Sequence, residues 1–220
     1  MKKQKIVVSF SGGKDSTLSL YRMLKQNYEI IGLISTFDND GDSCFHKIPK
    51  KVIGAISKSL NISLIEVNCT KGNIYEEEFE KALTFAKDKG AEICVFGDID
   101  IEHHKKWGLD RCAKAGLEGV FPLWQQDRES LTNEFLDYGF KAIIKKVNLK
   151  ELNEEFIGKE LTKDVVNKIK ENGADPSGEN GEYHTLVFDG PIFKEKVQFE
   201  VLGKEIIGQY GYLTISNESC

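Results

Sequence analysis

No CxxC pair occurs among the five cysteines, Cys44, Cys69, Cys94, Cys112 and Cys220. Their wide spacing and odd number speak against a zinc knuckle or a dithiol redox site and fit a reducing, cytoplasmic setting. Nor is there a long hydrophobic run. The leading lysines are followed only by Ile6-Val7-Val8, too short for a secretory signal or a membrane span. A basic excess is also missing. The formal net charge is −5, which argues against a dedicated nucleic-acid partner. The lysine-rich stretches Lys2-Lys3-Gln4-Lys5 and Lys145-Lys146 read as solvated faces. No low-complexity linker and no internal repeat interrupts the chain. What remains is an ordinary soluble mixture, 40% hydrophobic and 30% charged over 220 residues, enough for one α/β domain with a smaller appendage.

The first two-thirds alternate between strand and helix patterns. Residues 4–10 read as a short apolar strand, followed by a glycine loop and an amphipathic helix to about Gln26. Further strands are expected at 30–37, 62–67, 93–96 and 119–123. Helices are expected from Pro49, over 75–89, and after Asp98 through Cys112. Parallel neighbours need crossover connections, so this rhythm predicts a parallel sheet with helices on both faces. The pattern changes near residue 130, giving domains at 1–130 and 131–220. The second should be a small α+β unit, with a helix at 129–138, a strand at 142–147 and a Lys/Glu-rich helical stretch. A turn-rich segment follows Gly173, and two final strands, 196–202 and 205–213, are joined by a hairpin turn at Gly203-Lys204.

The strongest motif is Ser9-Phe10-Ser11-Gly12-Gly13-Lys14-Asp15-Ser16, placed after the first strand and opening a helix. Gly12 and Gly13 let backbone amides approach an anion closely. The helix N-terminus adds unpaired N–H groups and a favourable dipole. Lys14 supplies a positive charge, Ser11 and Ser16 supply hydroxyl donors, and Asp15 would hold Mg²⁺ or cap the helix. The spacing is neither Walker A nor GxGxxG. SGGKDS after an N-terminal strand resembles the PP-loop of the ATP pyrophosphatase superfamily. Its members bind the β- and γ-phosphates of ATP there and release pyrophosphate.

Two further motifs narrow the reading. One runs Gly97-Asp98-Ile99-Asp100-Ile101-Glu102-His103-His104-Lys105-Lys106-Trp107, ending in Arg111-Cys112 and followed by Pro122-Leu123-Trp124. The other is Gly178-Glu179-Asn180-Gly181-Glu182-Tyr183-His184-Thr185. Together with the glycine loop they closely resemble the diphthine–ammonia ligase family over about residues 4–195, its bacterial branch in particular. The resemblance implies a Rossmann-like (adenine nucleotide alpha hydrolase-like) ATP domain with a small C-terminal substrate domain. It also implies ATP-dependent amidation, with ATP, Mg²⁺ and ammonia as participants. The acceptor would be diphthine on translation elongation factor two or, in the bacterial branch, a small-molecule carboxylate. A homodimer is compatible with this reading, although no residue pattern specifies it.

Amide formation from a carboxylate needs a leaving group, which adenylation provides. Lys14 and the loop amides are the expected pyrophosphate hold, and Ser9 precedes them. Gly97, ending a strand, would let the nucleotide approach the backbone, while Asp98 would bind metal or ribose, or cap the next helix. Of His103 and His104, one should be exposed and one packed; Glu102 and His103 are candidate acceptor contacts. Lys105 or Arg111 would add phosphate contacts. His-His with no third spaced ligand is a poor zinc site. Glu179 and Glu182 are candidates for general base, ammonium positioning or a cationic acceptor group, since carboxylates between glycines bring no packing advantage. Asn180, Gly181, His184 and Thr185 would line the same acceptor site. His46 would reach adenine or phosphate, or sit in a solvated loop. Trp107 and Trp124 read as core fillers. Two other readings stay open: another PP-loop chemistry such as thiolation, which would need a reactive cysteine, and a nucleotide-sensing module without turnover.

Overall fold

The computed structural model describes residues 3–69 and 74–216. Cys220 and Lys2 lie outside them. The chain forms two compact units. One comprises residues up to Ser11, Asp15–Cys44 and Asn61–Gln125; the other comprises Gly12–Lys14, Phe45–Leu60 and the residues from Gln126 onward.

The first unit is a Rossmann-like parallel sheet flanked by helices. Its strands are β1 (Lys5–Ser9), β2 (Glu29–Phe37), β3 (Leu64–Asn68), β4 (Ile93–Val95) and β5 (Glu118–Val120), in the order β3-β2-β1-β4-β5. All four pairings are parallel. Ile6, Val7 and Val8 of the central strand are all fully buried. A strand covered on both faces shows such an unbroken apolar run. The helices include α1 (Lys14–Lys25), α3 (Tyr75–Asp88) and α4 (Glu102–Ala115). In α3, Glu76, Glu77 and Glu78 occupy the first turn, where the helix dipole favours negative charge. Its opposite face buries Phe79, Ala82, Leu83 and Ala86. Trp107 packs on that face, its ring 5.0 Å from Phe79 and stacked on Tyr75 at 5.2 Å. It fills the core, as its apolar body suggests. Gly116 ends α4 in the left-handed conformation, φ 69°.

The second unit is an antiparallel sheet of β6 (Lys141–Asn148), β7 (Tyr183–Asp189), β8 (Glu200–Ile207) and β9 (Tyr210–Ser216), in the order β7-β6-β9-β8. Around it are α2 (Lys50–Leu60), α5 (Arg128–Asp137) and α6 (Lys163–Glu171). Asp127 and Thr162 cap α5 and α6 by accepting from the Ser130 and Val165 amides.

Four sequence expectations are corrected here. The segment from Gly173 onward is not mainly turns, because Tyr183–Asp189 forms β7 and pairs along β6. The stretch after residue 148 has only a short 3₁₀ turn, Glu154–Phe156, before α6. The hairpin turn lies at Gly208-Gln209, between the paired Ile207 and Tyr210, with Gly208 at φ 60°. Gly203 lies inside β8, where the register shifts against β9; it marks a bulge, another use for a strand glycine. Lys145-Lys146 is no solvated face. Lys145 is 3% exposed, and Lys146 places its Nζ 4.3 Å from the Tyr210 ring centre. Among the described residues no helix is long and apolar enough to cross a membrane.

Candidate functional site

In the first unit, β1 lies between β2 and β4, the point at which the strand order reverses. Open α/β sheets bind ligands beyond the carboxyl ends of strands at such a point. The glycine loop leaves β1 there, after Ser9, and Gly97-Asp98 follow β4. Asp15 is half-buried in the first turn of α1, and the Ser11 and Ser16 hydroxyls are 3.2 Å apart. A Cβ on residue 97 would stand 2.8 Å from the Ser16 nitrogen and 2.9 Å from the Asp15 carbonyl carbon. Gly97 thus admits the backbone of α1's first turn, a more immediate reason for glycine than nucleotide approach. Backbone cannot swing aside as a side chain does, so Gly97→Ala is expected to cost about 1–3 kcal/mol in urea denaturation, as overpacking does.

Asp98 does not cap α4. The cap position is Ile101, with no side-chain cap bond, and Asp98 Oδ1 instead lies 3.2 Å from His104 Nδ1. Ile99 explains the delayed helix start: it is fully buried, and its carbonyl accepts from the Gln125 amide at 2.7 Å. Glu102, His103 and His104 are all exposed, so the expectation that one histidine packs inward fails. The packed face of α4 begins at Gly108 and continues through Cys112 and Ala115. Arg111 forms an ion pair with Glu80 at 3.1 Å, and Lys105 lies over the Trp124 ring at 4.2 Å. Each of these cations already has a protein partner.

In the second unit, Gly12–Lys14 is pinned to β7. The Gly12 carbonyl accepts from the Val187 amide at 2.9 Å, and the Lys14 amide donates to Thr185 Oγ1 at 3.0 Å. Gly12 has φ +80°, and a Cβ there would meet Ile53 Cδ1 at 2.8 Å. Lys14 is 3% exposed, with its Nζ 5.8 Å from the Tyr183 ring centre. His46 Nδ1 lies 2.9 Å from the Thr185 carbonyl. A carbonyl only accepts, so Nδ1 carries the proton and the neutral ring keeps its lone pair on Nε2. The His46 ring packs on His184, centres 4.6 Å apart. Burial pushes His46 down to about 4 against the pull of the Thr185 carbonyl, and Lys14, Lys146 and Lys145 add to the lowering. His184 is held well below the usual histidine range, first by burial and then by His46, Lys146 and Lys14.

The loop before β7 is held by its own polar groups. One Asp175 oxygen accepts from the Ser177 amide at 2.7 Å and hydroxyl at 2.8 Å, and the other pairs with Arg128. Tyr183 Oη donates to the Pro176 carbonyl at 2.6 Å. Glu182 is 6% exposed, and its carboxylate accepts from the Asn180 amide at 3.1 Å and Nδ2 at 3.2 Å. That corrects the expectation of no packing advantage: Glu182 helps to shape the loop. Glu179 is half-buried, Asn180 is exposed and Gly181 is half-buried. Asp175, Ser177 and Arg128 were missed in the sequence. The turn chemistry of Asp-Pro-Ser-Gly was the available signal for the first two.

A parallel sheet with SGGKDS at its switch strand, joined in one chain to a small antiparallel domain, defines a PP-loop type of α/β protein. The chain belongs to the diphthamide synthase family, whose N-terminal domain matches residues 4–119 and whose C-terminal domain matches residues 127–220. It is 28% identical to the diphthine–ammonia ligase of Schizosaccharomyces pombe, over 96% of this chain and 39% of that protein. To the diphthine–ammonia ligase of Rattus norvegicus it is 24% identical, over 88% of this chain and 82% of that one. The chain therefore spans well under half of the yeast relative and most of the rat one. A solved structure described as a predicted subunit of tRNA methyltransferase from Methanocaldococcus jannaschii aligns with TM-score 0.46 at 16% identity, covering 86% of this chain and 98% of that one.

Proposed function

We infer that the chain is an ATP-dependent ligase that adenylates an acceptor carboxylate and amidates it with ammonia, releasing AMP and pyrophosphate. The observation that carries this reading is the glycine loop, which leaves the switch strand as SGGKDS and holds a buried lysine. The names of the relatives support the amide-forming direction. In this reading Ser9, Ser11, Gly12, Gly13, Lys14 and Ser16 hold the polyphosphate, while Gly97 and Asp98 take the ribose side. The backbone amides at the start of α1 and the positive φ of Gly12 suit a pyrophosphate group. Among the described residues no cluster of three His, Cys, Asp or Glu side chains could hold a metal. Asp15 alone would bind Mg²⁺, which commonly uses one or two carboxylates together with substrate phosphates; the ion would neutralise phosphate charge.

Glu179 and Glu182 act on the acceptor side, together with Glu102, His103, Asn180, Gly181, His184 and Thr185. The acceptor is diphthine on elongation factor two or a small-molecule carboxylate. Three of the described cysteines speak against thiolation. Cys94 and Cys112 are buried. Burial, reinforced by neighbouring Cys44, pushes the Cys69 thiol up to about 12, far from the thiolate a sulfur nucleophile needs. Purified protein given ATP, Mg²⁺, ammonium and fractionated metabolites or elongation factor should form AMP and pyrophosphate in equal amounts only when the acceptor is present. Chromatography that finds ADP as the main product would overturn the assignment.

A further inference from the structure

Beside Lys14 lies a pair of imidazoles whose protonation the reaction above does not use. Lys14 and Lys145 are each 3% exposed, and Lys146 reaches the Phe45 carbonyl at 3.3 Å. They come from the glycine loop and β6, and all three act on the imidazole of His46, which stacks on His184 of β7. Lys14 and Lys146 act on His184 as well, and Lys47 acts on Lys146. Of these partners only the Thr185 carbonyl favours a protonated His46.

Two imidazoles among buried cations stay neutral while the site is empty, since each resists a further positive charge. A multiply charged anion arriving at Lys14 reverses the local field. One net charge brought within ~5–6 Å, at an effective dielectric near ~20, moves a titration midpoint by about two pH units. Centres 4.6 Å apart let the pair take one proton readily and oppose a second.

We propose that His46 and His184 are the proton-accepting part of the anion site at Lys14, so that a polyphosphate bound there is accompanied by uptake of one proton onto the pair. This rests on the reading of the glycine loop as a polyphosphate site. The sign follows by linkage. The bound-state midpoint lies above the empty-state midpoint, so polyphosphate binds more tightly as pH falls through the bound-state value and is released more easily above it. The filled site gains positive charge, and departure of the anion returns the proton.

The chain has four histidines, His46, His103, His104 and His184, few enough to follow individually. Their ring resonances, assigned through the backbone by NMR in the unmodified protein, should be titrated with and without saturating inorganic pyrophosphate. Without it, His46 should titrate near 4. With it, the midpoint of one member of the pair should rise by about two pH units or more, while exposed His103 and His104 stay in place. If pyrophosphate shifts the amide signals of residues 12–16 but leaves both midpoints unchanged, this inference fails and the polyphosphate reading stands. If those amides do not respond at any concentration, both fail.

Discussion

Lys14→Met should lower acceptor-dependent AMP formation by about 10²–10³-fold, the loss typical of removing one preorganised electrostatic donor from a reacting centre. Methionine keeps much of the length and apolar stem, so circular dichroism and the urea midpoint should change little. The backbone amide of residue 14, which holds Thr185, is retained. What disappears is one buried positive charge where pyrophosphate charge is expected to develop. The loss should fall on kcat and kcat/KM together if the lysine acts mainly in the transition state, and on KM alone if it only holds ground-state ATP. Turnover within a few-fold of the parent would remove Lys14 from the mechanism.

Asp175→Ala is expected to destabilise the protein by about 2–3 kcal/mol, the upper part of the range for leaving buried polar groups without an acceptor. Asp175 has an 8% exposed side chain and pairs with Arg128, while its other oxygen holds the Ser177 amide and hydroxyl. Truncation removes the carboxylate that the Arg128 guanidinium and Ser177 share. The cost therefore exceeds the worth of either bond alone. Urea unfolding of Asp175→Ala, Arg128→Met and the double variant separates these contributions, since contacting residues are non-additive. A double variant less damaged than Asp175→Ala would show that the arginine left behind accounts for part of the cost. A loss under about 1 kcal/mol, the size of a surface pair, would contradict the buried network.

The parallel sheet was legible because its signals are local. Ile6-Val7-Val8 announces a central strand, and SGGKDS carries backbone requirements that few other residues meet. β7 was not legible, because the glycines of residues 178–181 suggested turns and drew attention from the apolar Leu186-Val187-Phe188 behind them. Lys145 looked solvated because charge in a sequence does not name its surroundings. Its neighbour Lys146 finds the Phe45 carbonyl 101 positions away. Asp98 was read as a possible cap on local grounds, yet the helix start is set by the Gln125 amide on Ile99. His46 stood undecided between site and solvent for the same reason: its partners, Thr185 and His184, are remote in sequence.

The bond from the Lys14 amide to Thr185 spans 171 positions, which has a bearing on how the protein comes off the ribosome. The glycine loop is synthesised well before the strand that steadies it. Long-range pairings of this kind form late, after the entropy of closing the intervening chain has been met. A nascent chain released up to residue 119 would carry every residue of SGGKDS and none of its β7 partners. Anion-binding competence should then arise only once the C-terminal strands have folded, so a polypeptide truncated in mid-synthesis would not sequester nucleotide.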